Sequence, residues 1–153
     1  TQGLNHTSTL DVIEKLIRDL LPENWYVRAE RPVRLPNYDE PEPDLAVLRG
    51  NPGDYRRRQP GPDDVALIVE VSDSSLRLDR GDKLRAYARS GIVHYWIVNL
   101  VDRRLEAYSV PTPGGYGSST IYDRPSDVPL VIAGVEVGRI PVGVVLPDDD
   151  GQG

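Results

Sequence analysis

Apolar residues recur along this chain in three rhythms, and each rhythm predicts a different element. From Ser8 to Leu21, the positions Leu10, Ile13, Leu16, Ile17, Leu20 and Leu21 return at helical spacing, which predicts a helix with one apolar stripe. Ser8, with Asp11 three residues on, has the composition of an N-cap, and Pro22 stops the helix. From Trp25 to Leu35 the rhythm is two. Val27, Ala29, Val33 and Leu35 fall on one face and Arg28, Glu30 and Arg34 on the other, the pattern of a half-buried strand. Leu45–Leu48 and Val65–Val71 are short continuous apolar runs and read as buried strands. Between them lie a turn-rich linker from Pro36 to Pro43 and a polar loop from Arg49 to Asp64. Asp79 to Ser90 predicts a second helix, with Leu84, Tyr87 and Ala88 on one side and Gly91 as its stop. Ile92–Leu100 reads as a strand, Arg103–Ser109 and Gly117–Asp123 as a hairpin, and Pro129–Val145 as one or two more short strands.

A strand, a helix and a strand in succession, from Val65 through Ser90 to Leu100, imply a right-handed crossover and a parallel pair. The fold class is therefore α/β with a mixed sheet. At 153 residues the chain fits one domain, read as residues 1–147, with 148–153 as an acidic tail. The net charge of −6 excludes a protein whose affinity rests on overall positive charge, and leaves room for a local basic patch. There is no cysteine, hence no disulfide framework and no thiolate site. Two histidines exclude a three-histidine zinc site. No apolar run is long enough to span a bilayer and no signal peptide opens the chain, so the cytoplasm is the default location. Methionine is absent too, so Thr1 is not expected to be the native start.

Two acids stand at the edges of buried strands. Asp44 opens the run Leu45–Leu48 and Glu70 lies near the end of Val65–Val71. A carboxylate in apolar surroundings is costly unless it is paired or binds a metal. Two on neighbouring strands can converge on one hard divalent cation; the alternative is that each caps a loop or pairs with an arginine.

These residues also carry a resemblance. Glu40-Pro41-Glu42-Pro43-Asp44-Leu45-Ala46-Val47-Leu48 resembles the aspartate strand of the PD-(D/E)XK nuclease superfamily, and more narrowly that of the Uma-two family of restriction-type endonucleases. Val69 to Ser75 is similar to that family's glutamate strand and serine-rich turn. Asp79–Leu84 and Tyr87–Ile92 are similar to its second helix, and His94–Asn99 to the strand that follows. The match runs from about His6 to Asn99 in order and spacing, and the superfamily core (helix, three strands, helix, strand) is the order read above. The family carries a segment ahead of the first helix that this chain is expected to lack, which would leave one sheet edge uncovered.

The resemblance implies a Mg²⁺-dependent endonuclease acting on DNA, with Mn²⁺ as a substitute. Asp44 and Glu70 would be metal ligands, joined by the backbone carbonyl of Val71. The superfamily's lysine belongs at position 72, where this chain has Ser72; Lys83 on the second helix takes its place. The catalytic set is then Asp44, Glu70 and Lys83. Alternatives are a scaffold protein on the same fold and a phosphoesterase acting on RNA or nucleotides. Asp79 reads as a cap of the second helix or as a partner of Lys83. His6, Glu14, Glu30 and His94 read as structural or surface residues. Arg56-Arg57-Arg58, Arg77, Arg80, Arg85 and Arg89 are candidates for phosphate contacts. Because duplex cleavage needs two sites, a two-fold homodimer is expected, with Tyr95, Trp96, Tyr108 and Tyr116 as contacts.

Overall fold

A computed structural model describes residues 3–36 and 38–148; the acidic tail after Asp148 lies outside the described residues. Helix α1 (Leu4–Leu20) is followed by strands β1 (Trp25–Ala29), β2 (Leu45–Arg49) and β3 (Val65–Ser72). Two short helices, α2 (Leu76–Arg80) and α3 (Asp82–Arg89), then lead to β4 (His94–Asn99), β5 (Arg104–Thr112) and β6 (Gly115–Tyr122). A separate hairpin, β7 (Asp127–Ile132) and β8 (Val135–Pro141), precedes the single turn α4 (Val142–Val145). The main sheet is six-stranded in the order β1-β2-β3-β4-β5-β6. Only β3 and β4 run parallel, bridged by α2 and α3, and the other neighbours are antiparallel. The α/β class with a mixed sheet follows the sequence reading. Among the described residues no helix is long and apolar enough to cross a membrane.

The sheet separates two apolar layers. On one face Leu10, Ile13 and Ile17 of α1 and Val128, Leu130 and Ile140 of the hairpin cover Leu45, Val47, Val69 and Val71. On the other face Ala86 and Tyr87 of α3, with Val33 and Leu35, cover Ala46, Leu48, Ile68, Tyr95 and Ile97. Every residue of β3 is buried, as befits a central strand covered on both faces. Each fully buried Ile or Leu adds roughly 1.5–3 kcal/mol over an exposed one.

Four expectations need correction. Helix α1 begins at Leu4, not Ser8, and its N-cap Gly3 makes no side-chain capping bond. The stripe simply continues backwards through Thr9 to His6, both buried, and Ser8 donates instead to the Asn5 carbonyl. The strand from Trp25 stops at Ala29, because Glu30 takes a positive φ of 54°. The chain turns there and carries Val33 and Leu35 to the opposite face from Val27 and Ala29. Alternation survives in the sequence across a break that moves its apolar residues to another core. The second helix is two helices, broken at Gly81, where a Cβ would meet the Arg77 carbonyl oxygen at 3.0 Å. Asp79 therefore lies in α2 and caps nothing.

The fourth correction concerns the aromatic residues. Tyr95 and Trp96 are buried, and Tyr108 and Tyr116 are half-buried against Tyr95, with centroids 6.0 and 6.2 Å from its ring. Tyr116 donates to the Ile92 carbonyl. The three tyrosines pack between α3 and β4–β6, and Trp96 lies in the core on the other face, so all four rings are engaged within the chain.

A buried charged cluster closes the same face. Glu106 on β5 accepts from Arg80, Asn99 and Tyr108. Burial works against its charge, but the hydrogen bonds from Arg80, Asn99 and Tyr108 outweigh it and hold its pKa down to about 2. A depressed carboxylate stabilises the fold above its unfolded pKa, and that contribution is lost as pH falls through the folded value. Glu106→Gln is therefore expected to be less stable than the parent at neutral pH by on the order of 2 kcal/mol. The gap should narrow between about pH 4.5 and pH 2, where both side chains become neutral. Denaturant melts across that range measure it, and a gap constant with pH would refute the assignment.

Candidate active site

β2 and β3 are antiparallel, with Leu45 opposite Val69, which sets Asp44 opposite Glu70 where the ladder ends. The two acids are tied through the backbone. The Asp44 N–H donates to Glu70 Oε1 at 3.2 Å, and the Val71 N–H donates to Asp44 Oδ2 at 2.7 Å. The N–H and C=O of one strand residue point to the same edge, so the Val71 carbonyl also faces the Asp44 side. Both acids are buried, Glu70 at 2% exposure.

Three elements converge on this pair. His6, at the start of α1, places Nε2 3.2 Å from Asp44 Oδ2. Lys83, near the start of α3, places Nζ 3.4 Å from Glu70 Oε2 and 3.2 Å from Asp79 Oδ1. Tyr87, one helical turn on, donates its hydroxyl to Glu70 Oε2 at 3.1 Å. Asp79 is fixed in turn by the hydroxyls of Ser72, at 2.5 Å, and Ser75, at 2.8 Å. Ser72 thus steers Lys83 through Asp79 from the very position that the lysine of the superfamily pattern would occupy.

Electrostatics follows from this crowding. Burial pushes the Asp44 carboxyl above its ordinary pKa, against the Val71 hydrogen bond and the nearby His6 and Lys83. Burial pushes Glu70 well above the usual carboxylate range; Lys83 counters it, and the charges of Asp44 and Asp79 add to it. Burial also opposes the charge of Lys83, but Glu70 and Asp79 outweigh it and raise its pKa. Burial thus disfavours the ionised form of both acids, the condition under which a buried acid site gains from a cation.

The donor set suits a hard divalent ion: two carboxylates and a backbone carbonyl, all oxygen. Among the described residues no hydrogen bond reaches Asp44 Oδ1. No three His, Asp or Glu side chains among them stand together as a ready-made cage. A cation here would complete its shell with water and phosphate, as Mg²⁺ does.

The remaining candidates lie elsewhere. Glu14 pairs with Arg18 on the outside of α1, and Glu30 is exposed at its turn. His94 is half-buried, and burial lowers its pKa. Arg80 belongs to the Glu106 cluster and Arg85 pairs with Asp82. The sequence reading left Tyr87 out of the site, although its i,i+4 spacing from Lys83 puts both on one helical face.

Comparison with known proteins gives the following. The model of the Uma2 family, described as "Putative restriction endonuclease", matches residues 1–142. No curated protein matches the chain. A solved structure from Anabaena variabilis ATCC 29413, described as a "putative nuclease belonging to DUF820", is similar with a TM-score of 0.70 at 13% identity. It covers 95% of this chain and 81% of its own. At that identity the likeness speaks for the fold.

Tyr87→Phe is expected to leave the fold intact and to cost about 1 kcal/mol, because Glu70 Oε2 loses one of its two donors and keeps Lys83. Urea unfolding of the two proteins decides it, and coincident midpoints would mean that the hydroxyl does not hold Glu70.

Proposed function

The chain belongs to the Uma-two family, the "Putative restriction endonuclease" family, and from that membership we propose that it is a Mg²⁺-dependent endonuclease that hydrolyses phosphodiester bonds in DNA. The observation that carries the reading is the buried Asp44–Glu70 pair, cross-tied through the backbone and faced by the ammonium of Lys83. Acids placed so for structural reasons alone would be expected to have opposing arginines, and here the facing side chains are a lysine and a histidine.

Asp44, Glu70 and the Val71 carbonyl would hold the ion, with Mn²⁺ as a substitute. When bound, Mg²⁺ supplies a Lewis acid and lowers the pKa of a coordinated water. The protein side of the chemistry is positional. The Val71 N–H and His6 hold the Asp44 carboxylate on one oxygen, leaving Oδ1 for the ion. Tyr87 and Lys83 hold Glu70 on Oε2. Lys83, aimed by Asp79, is the group that orients the attacking water and offsets charge developing on the phosphate. We extend the reading to a two-fold homodimer, since cutting both strands of a duplex needs two such sites.

Asp44→Asn is expected to abolish both cleavage and the calorimetric signal of Mg²⁺ or Mn²⁺ binding. Lys83→Ala is expected to slow cleavage by roughly 10²-fold while ion binding persists, because lysine is not a ligand. Lys83→Arg is not expected to restore the rate, since a planar guanidinium is not a compact ammonium. A parent protein inert on DNA with both ions defeats the reading. Cleavage of RNA alone would make it an RNA phosphoesterase, and inertness on both a scaffold. Light scattering that reports a monomer at micromolar concentration would remove the dimer alone.

A further inference from the structure

At the β1 end of the main sheet, β1 and the loop after β2 enclose a groove of about 490 Å³ lined by Tyr26, Arg28, Arg31, Pro52, Tyr55 and Arg56. Among the described residues β1 is paired only with β2. The walls are built rather than loose. Tyr55 closes the turn Pro52–Tyr55, which Asn51 and Asp54 cap reciprocally, and its hydroxyl donates to the Arg49 carbonyl at 2.6 Å. Its ring is 6.4 Å from that of Tyr26. It holds two guanidiniums from distant parts of the chain, Arg28 at 6.0 Å and Arg58 at 5.1 Å from its centroid. Such contacts partly offset the repulsion between like charges brought together.

The acids near this groove have other partners than its arginines. Of the nearby acids, Asp54 is committed to the Asn51 N–H and Asp64 to Arg58 and the Gly61 N–H. Among the described residues no carboxylate forms an ion pair with Arg28, Arg31 or Arg56, and the Arg28 Nε is buried without a partner. Three arginines without a carboxylate partner therefore line one concavity in a chain whose net charge is −6, Arg28 donating only to the Pro32 carbonyl. Such a concentration of positive charge fits a polyanion.

Register connects the groove to the acid pair. Arg28 is opposite Ala46 on β2, and Ala46 opposite Ile68 on β3. Ala46, Ile68 and Tyr26 pack on one face of the sheet, and the two-residue period puts Arg28 and Glu70 on that same face. Asp44 lies one strand over and two residues along from Arg28, so the two Cα atoms are about 8 Å apart at ordinary strand spacing. That is about two to three nucleotide steps at the 3.4 Å rise of one DNA strand.

We infer that this groove is a binding site for the sugar–phosphate backbone of DNA, in which Arg28, Arg31 and Arg56 grip phosphates a few nucleotides from the bond at Asp44 and Glu70. The inference rests on the nuclease reading for what lies at that bond, and its test is binding without cleavage. Binding of a short labelled DNA duplex is measured by fluorescence anisotropy in EDTA over a range of salt. The proteins are the parent, Arg31→Ala/Arg56→Ala, Arg31→Lys/Arg56→Lys, and Arg139→Ala on β8 as a remote control.

The double alanine variant is expected to bind roughly tenfold more weakly, with a log–log salt slope smaller by about two. The double lysine variant should recover part of that loss, and the control should match the parent. Parent-like binding by the double alanine variant overturns the groove, as does displacement of the duplex by polyglutamate as readily as by unlabelled DNA. Cleavage with Mg²⁺ or Mn²⁺ is scored separately. Groove-dependent binding without cleavage would sink the nuclease reading and leave the groove standing. Cleavage with an unchanged KM in the double alanine variant would do the reverse.

Discussion

Two carboxyl groups buried side by side at the end of β2 and β3 are the constraint around which this structure is arranged. Like charges in a low-dielectric setting repel, and each has given up water to be there. The backbone takes the first share of that cost: the Val71 and Asp44 amides donate to the acids at the point where strand pairing ends. The rest falls to side chains drawn from both layers. His6 arrives from the helix on one face of the sheet, and Lys83 and Tyr87 from the helix on the other. The site is therefore not attached to a finished fold, since the elements that cover the two faces are also those that compensate the acids.

The acids were legible in the sequence because a carboxylate at the edge of an apolar run contradicts its surroundings. Lys83 was not legible in that way. A lysine four residues after an aspartate is ordinary on a helix surface, and only the resemblance to a family singled it out. The structure shows why spacing alone was silent: Lys83 reaches Glu70 because Asp79 is itself pulled inward by Ser72 and Ser75, a tertiary arrangement. The part played by His6 was hidden by the helix start. Gly3 offers no side-chain cap, while Ser8 offers a false one, so the buried histidine seemed to precede the helix.

The crossing of Val33 and Leu35 to the other face was hidden for a different reason. A strand that breaks at a left-handed residue and a strand that continues can show the same alternation, since periodicity records parity and not direction. The Gly81 break was likewise invisible, because a lone glycine in a helical pattern is more often tolerated than decisive. The overall class survived these errors. It depends on the continuous apolar runs and the crossover between β3 and β4, and these are the features most strongly written into the chain.

The main sheet has its strands in the order in which the chain makes them. Each strand therefore pairs with the one before it in the chain, and no later strand has to be inserted between two earlier ones. Asp44, Glu70, Lys83 and Tyr87 all lie within the consecutive segment that builds β2 through α3, and His6 reaches Asp44 from 38 residues upstream, on a helix that precedes that whole segment. A break in the chain between α1 and β1 would leave the acid pair and its lysine on one piece and part them only from His6. Asp44 would then keep the Val71 N–H and lose the imidazole that meets the same oxygen.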